Sequence, residues 1–457
     1  MKTCHMTFMM LAIAVFVYLT PALAHAAEVK ESNYKGRKTL ELNNGLIEVQ
    51  VAPDIGGRII QFKLKDVEFL WVNDHLAGKM PPPTGVGPKG EWLNYGGDKL
   101  WPAPQGWGSE DKWPGPPGPT IEGLPHKALA SPRKGSHVAV HLTSPEDKST
   151  GIQFTRSINV NDGGTHVKIH SIMRNIDTKP RRWGIWQVTQ INCGDRAGTG
   201  YDKEIWAYCP RNPKSIFPKG FKVMYGAADN PAFQPDAEKK MMRVHYVRQV
   251  GKIGLDSAAG WLAVVRKGHV FVERFQCFAG KPHPDDASVE FWIQAPGKFD
   301  AAGKENVIAD DLVAAPPYME AEVLSPFAEL RPGKTYDFQN EWSATNIGGN
   351  FPVLDCTEVG VTCEPFSAKM DGDRLLLTGR FGVFYTGYLL LSFFDAKEKQ
   401  LKQFSLNVNV TPEKPLVLSP DPQLTANVKV PGSAAKVAIC TAGNGPYAEL
   451  ARAPIRR

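Results

Sequence analysis

Residues 91–113, EWLNYGGDKLWPAPQGWGSEDKW, hold the side chains best equipped for chemistry. Four of the protein's eleven tryptophans fall here: Trp92, Trp101, Trp107 and Trp113. Asp98, Lys99 and Gln105 are interleaved with them. Flat indoles beside such groups are what the wall of a sugar site requires, because rings cover the C–H face of a pyranose while polar groups bond its hydroxyls. Gly96 and Gly97, just before Asp98 and Lys99, allow a backbone to approach closely. The same composition would also suit a loop whose tryptophans cap the core of a β-protein. No hydrophobic period of two or 3.6 runs through the stretch, and Pro102, Pro104 and Pro114 argue against a regular element. The expected form is therefore a long ordered loop.

The elements around it read as strands. Residues 38–51 alternate about Asn43-Asn44-Gly45, a hairpin signal. Residues 59–64 and 67–72 continue the series before the Trp-rich stretch. Beyond it, 137–142, 152–159, 165–174, 182–191, 261–265, 270–275, 289–294, 318–324 and 335–343 are strand-like, while 194–257 is less regular. Long helical periodicity is almost absent, so the fold class is all-β, a sandwich or barrel. Asn346–Asn350, NIGGN, reads as a linker, and four further strand-like runs beyond it predict a small C-terminal β-sandwich over 346–457.

Three stretches carry a family resemblance: GGRIIQFKLKDVEFLWVN near the start, RNIDTKPRRWGIWQV in the middle, and YMEAEVLSPFAELRPGKTYDFQNEW at the close. Together they resemble the galactose mutarotase-like (aldose 1-epimerase-like) superfamily, in an uncharacterised, domain-of-unknown-function branch. The resemblance implies a large antiparallel β-supersandwich over 27–345. It also implies a catalytic carboxylate on the closing strand, which falls on Glu320 with Glu322 close behind. On a strand, 320, 322 and 324 share one face. The family's histidines have no counterpart here. Trp183, Trp186 and Gln187 occupy one of their regions, and Tyr95-Gly96-Gly97 the other. Neither tyrosine nor glutamine is a ready proton donor at neutral pH. The resemblance thus leaves Glu320 as general base without its usual acid, and Tyr95, Lys99 and His126 as substitutes.

The expected cleft takes Tyr95, Lys99, Trp101, Gln105, Trp107, His126, Arg182, Trp186 and Gln187 as substrate-binding residues, with Glu320 and Glu322 as candidate catalytic groups. Arg182 is included because a guanidinium can grip a sugar carboxylate by two bonds. No cofactor is expected. No metal is expected either, since no C-x-x-C or H-E-x-x-H spacing appears. Net charge is +6 and spread out, so nucleic acid is a poor partner. The first 26 residues, with Lys2, an apolar run over 6–19 and Ala24-His25-Ala26, read as a cleavable signal peptide. The mature chain is expected to be secreted or periplasmic, without a stable membrane span. Six cysteines would remain, and spacing alone leaves their connectivity open. The leading functional reading is an exported carbohydrate-binding protein. Two alternatives stand beside it: an epimerase or polysaccharide lyase using Glu320 as base, and a structural envelope protein.

Overall fold

A computed structural model of the protein describes residues 26–457, apart from 196, 237, 239 and 279. Nearly all of the expected leader therefore lies outside the described residues. Alternating apolar runs pair into two large antiparallel sheets between Glu28 and Asn346, one of twelve strands and one of ten. Their inner faces meet in a single apolar core. Phe62, Ile185, Phe291 and Val323 come from the first sheet; Phe154, Ile158, Phe271 and Trp342 come from the second. The fold is thus an all-β sandwich of large antiparallel sheets.

Residues 355–456 build an eight-stranded sheet with its own cluster, including Leu377, Phe381, Leu391 and Ile439. A third cluster, with Trp261, Val272, Ile347, Val361 and Phe384, joins this part to the ten-stranded sheet. The six described cysteines are all free thiols. No helix among the described residues is long and apolar enough to cross a membrane.

The Trp-rich stretch departs from its expected form. It contains a six-residue strand, Asp98–Ala103, in the middle of the larger sheet, and all six residues are buried. Burial on both faces removes the alternation that a half-exposed strand would show. Pro102 is tolerated because the strand on one side, Arg58–Leu64, pairs only through Ile59 with Asp98, so no ladder partner is missing there. The irregular region 194–257 also holds five strands, Trp206–Pro210, Lys222–Gly226, Phe233–Asp236, Met241–His245 and Gly251–Leu255. Each has five residues or fewer, too short for a period to register. The run expected over 67–72 shrinks to Val67–Glu68, with single bridges at Leu70 and Val72.

The interior is not wholly apolar. Arg156 of the second sheet reaches across to Asp98, which also accepts a 2.9 Å bond from Thr189. Glu273, fully buried, accepts one bond of 2.7 Å from Asn340. Burial, and then the nearby Asp98, push the Glu273 carboxyl well above the usual carboxylate range. A carboxyl raised on folding binds its proton more tightly in the native than in the unfolded chain. It therefore costs stability increasingly as pH rises above the unfolded value of about 4.3. Glu273→Gln keeps an acceptor for Asn340 without a charge to bury. Its urea midpoint is expected to exceed that of the natural protein at pH 8, with the advantage shrinking toward pH 4; an equal or lower midpoint at pH 8 would contradict this account.

Candidate functional site

Strand register assembles the site on the outer face of the twelve-stranded sheet. Strand Asp98–Ala103 pairs with Arg181–Asn192, and Tyr318–Leu324, Val289–Gln294, Gly251–Leu255 and Lys222–Gly226 follow in order. One transverse row runs Gln190, Glu320, Trp292, Lys252, Tyr225, each opposite the next. The adjacent row runs Lys99, Val188, Glu322, Glu290, Gly254. Side chains two apart share a face, so both rows point the same way. Trp101 opposite Trp186 extends that face.

Above these rows lies a cleft of about 350 Å³, within the ~300–1,000 Å³ usual for small-molecule sites. Glu320 and Lys252 are on its floor. One wall is the segment after Ala103, contributing Gln105 and Trp107, with Trp101 and Trp186 at its base. The other is a hairpin, Gly297–Ala301 with Lys304–Ile308, contributing Phe299 and Asn306 beside Trp292 and Tyr225. Trp101 meets Trp186 edge to face at 5.3 Å between ring centres, and Trp292 meets Phe299 likewise at 5.2 Å. Trp107 is 42% exposed, so its ring is open to a ligand at little desolvation cost to the protein.

Charges on the floor are nearly all paired. Lys99 Nζ lies 3.1 Å from Glu320 Oε1, and Gln190 Nε2 donates to the same oxygen at 2.8 Å. Among the described residues no hydrogen bond reaches Glu320 Oε2, and Glu320 lines the cleft. Lys252 lies between two carboxylates, 2.7 Å from Glu290 and 2.9 Å from Glu322. The two lysines diverge for that reason. Burial drives Lys99 below the ordinary lysine range, since Glu320 and the more remote Glu122 only partly offset desolvation and Arg58. Burial also acts against the Lys252 ammonium, but Glu290 and Glu322 outweigh it and hold its pKa well above that range. Glu322 is raised by burial first; Lys252 opposes this, while Glu290 and Glu320 add to it.

Buried carboxylates also orient the indoles. Glu122 accepts from Trp101 Nε1 at 2.6 Å, from Trp92 Nε1 at 2.8 Å, and from Arg58. Glu322 accepts from Trp186 Nε1 at 2.8 Å. The lysines complete the arrangement by lying over ring faces, Lys99 at 4.8 Å from Trp101 and Lys252 at 4.5 Å from Trp186.

Of the residues singled out from sequence, the fold brings Lys99, Trp101, Gln105, Trp107, Trp186, Glu320 and Glu322 together, with Lys99 and Glu322 beneath the cleft floor. Four others lie elsewhere. Gln187 is one residue out of phase with Trp186, so it points into the sheet interface, fully buried. Arg182 is spent at the start of its strand, four residues before Trp186, 2.8 Å from Glu329 and stacked on Phe327. Tyr95 is packed among Tyr34, Ile55 and Ile60 beneath Arg37. His126 sits against Gly57, its Nε2 3.3 Å from the Ile121 carbonyl, and burial pushes its pKa down to about 4. Sequence reasoning missed Glu122, Tyr225, Lys252, Glu290, Trp292 and Phe299. Only Glu290 and Trp292 carried a signal, the alternation in VEFWIQ.

These features define a class: a two-sheet antiparallel β-sandwich with an aromatic- and carboxylate-lined cleft on the outer face of one sheet. A family described as a domain of unknown function (DUF4380) matches residues 38–345, and the chain belongs to it. Solved structures similar to the chain include a galactose mutarotase-like protein from Clostridium acetobutylicum, with 12% identity, a TM-score of 0.44, and coverage of 70% of this chain and 99% of that one. A putative aldose 1-epimerase from Klebsiella pneumoniae is similar at 12% identity and a TM-score of 0.43, covering 70% and 83%. A TPR-domain containing protein from Parabacteroides distasonis is similar at 12% identity and a TM-score of 0.45, over 74% of this chain; the chain spans 56% of its length. No curated protein matches the chain.

Removing Glu122 tests the wall. Glu122→Ala leaves Arg58 buried without its partner and frees two indoles. The expected loss is ~3–5 kcal/mol in unfolding free energy, measured by denaturant titration, with a red-shifted tryptophan emission in the still-folded protein. A loss below ~1 kcal/mol would show that the carboxylate does not hold the wall.

Proposed function

We propose that the cleft binds a saccharide that carries no acid group. The observation behind this reading is Glu320 at the centre of an aromatic-walled floor. Its Oε1 is taken by Lys99 and Gln190, and no described residue bonds its Oε2. Both nearby lysines are committed to carboxylates. A hydroxyl entering the cleft finds an acceptor, and a sugar face finds rings to stack on. A uronate, sulfate or phosphate meets a carboxylate and no free cation among the described lining residues. Like-charge contact of this kind costs several kcal/mol when desolvated.

Calorimetry with a neutral hexose or its oligomers, and with the matching uronate and 6-phosphate, tests this. The neutral compounds are expected to bind, and the acidic ones to bind at least about tenfold more weakly. Glu320→Gln is expected to narrow that gap by weakening neutral binding and relaxing the rejection of acids. Trp107→Ala should weaken neutral binding by up to about tenfold through lost stacking. No binding across a broad saccharide panel would overturn the reading.

One observation favours a second reading, proton transfer on a sugar. Lys99 is held below the ordinary lysine range and lies 3.1 Å from Glu320, a pairing of acid and base character. Against it, no histidine is among the described cleft-lining residues, and His126, a candidate from sequence, sits elsewhere with its pKa pushed down to about 4 by burial. Polarimetry is expected to find little or no acceleration of α/β interconversion of glucose or galactose. Fast mutarotation abolished by Glu320→Gln would replace the binding reading with the enzymatic one. The leader-like first 26 residues support an exported protein, so this binding would take place outside the cytoplasm.

A further inference from the structure

Ala27 follows immediately after Ala24-His25-Ala26 and is the first buried residue among those described. It is 2% exposed within the main apolar cluster, whereas Ala26 is exposed. Its backbone is gripped at both ends. The N–H donates to Asp162 Oδ1 at 2.7 Å, and the carbonyl accepts from Arg133 Nη1 at 2.8 Å. Arg133 also spans both oxygens of that carboxylate, at 3.0 and 2.6 Å. Asp162 is fixed in turn, its own N–H donating to the Ser136 carbonyl at 2.9 Å. Hydrogen bonding from Arg133, then from the Ala27 amide, holds its carboxyl below the usual range against partial burial.

We infer that Ala27 is the mature N-terminus and that its α-ammonium, released by leader removal, seats on Asp162 beside Arg133. This inference rests on the export reading and is independent of what the cleft binds. Hydrolysis of the Ala26–Ala27 bond by a signal peptidase consumes one water. The leader leaves with the Ala26 carboxylate, which keeps the water's oxygen, and the Ala27 nitrogen takes both of the water's hydrogens to become an ammonium. A neutral amide donor then becomes a charged one at the same oxygen, and charge-assisted bonds are roughly twice as strong as neutral ones. Asp162 goes from one cationic partner to two. Leader removal thereby tightens the join between the first strand, Glu28–Tyr34, and the turn after Ile152–Asn161.

The other titratable groups nearby do not compete for the ammonium. Glu28 pairs with Lys30. Of the strands packed against this end, Arg37–Asn43 brings one acid, Glu41, which pairs with Lys30, while Lys127–Lys134 and His137–Thr143 add the basic groups Lys127, Lys134, His137 and His141 but no acid. An α-amine ordinarily titrates at about 7.7–8.0 and is raised by a carboxylate partner. The lock is therefore complete below about pH 8 and is lost as pH rises through the folded value.

The protein produced with its own leader in an exporting host gives the first readout, intact mass. The expected mass starts at Ala27; a different start would overturn the cleavage site and with it the seat. The second readout is thermal unfolding of the 27–457 chain with a free or an acetylated amine, each with Asp162 or Asp162→Asn, between pH 6 and 10. Acetylation is expected to lower the melting temperature at pH 6–7 by about 2 °C, an effect that fades by pH 10 and is absent in the Asp162→Asn background. Equal melting of free and acetylated chains, both starting at Ala27, would overturn the ammonium seat while leaving export intact. Should Asp162→Asn fail to fold, the pH dependence of the acetylation effect alone decides.

Discussion

A single buried ion pair, Arg58 with Glu122, fixes the geometry of the aromatic wall. Arg58 is fully buried and also donates to the carbonyls of Ile55 at 2.9 Å, Gly96 at 3.0 Å and Glu122 at 3.2 Å. One guanidinium thus ties the turn before its own strand, the approach to strand Asp98–Ala103, and the short helical segment Pro119–Gly123. Glu122 returns two indole bonds. Burying such a pair is costly, and it is tolerated only where the remaining hydrogen-bonding capacity is used. Here six hydrogen bonds are made at once, and the wall inherits their rigidity. The backbone at Gly96 and Gly97 belongs to the same knot. A Cβ at Gly96 would come within 2.3 Å of the Trp71 carbonyl oxygen, and one at Gly97 within 2.4 Å of the Ile59 carbonyl oxygen; both residues have positive φ. Any larger residue would push strand Asp98–Ala103, and Lys99 with it, away from its neighbours.

Charge accounting gives the floor its chemical character. Lysines on the same sheet face differ in protonation tendency because Lys252 has two carboxylates in contact and Lys99 has one, with Arg58 nearby. In low dielectric each such neighbour counts heavily. The result is a floor where cations are used internally to hold carboxylates and indoles in place. What remains for a ligand is an acceptor oxygen and ring faces. That combination supports recognition of hydroxyls and C–H surfaces in the reading proposed for the cleft.

The fold class and much of the wall could be read from the residues. The density of short alternating runs and the lack of helical periodicity required packed antiparallel sheets. The crowding of tryptophans near Lys99 and Gln105 marked one wall, since composition needs no knowledge of pairing. The family motifs placed Glu320 and Glu322 on one strand face, because a period of two is a property of any strand. Other features depended on strand pairing. Trp186 faces the cleft while its neighbour Gln187 faces the core, a choice that a one-residue shift in register would reverse. Lys252 sits in a five-residue strand too short to show a pattern, yet pairing puts it opposite Trp292 and two strands from Glu322. Glu122 lies in a single short helical turn and acquires a role only when Arg58 and two indoles converge on it. Sequence determined which residues were available and which faces of each strand agreed; register and long-range packing decided which of them meet, because those contacts join positions up to 221 residues apart, whose separation no local pattern encodes.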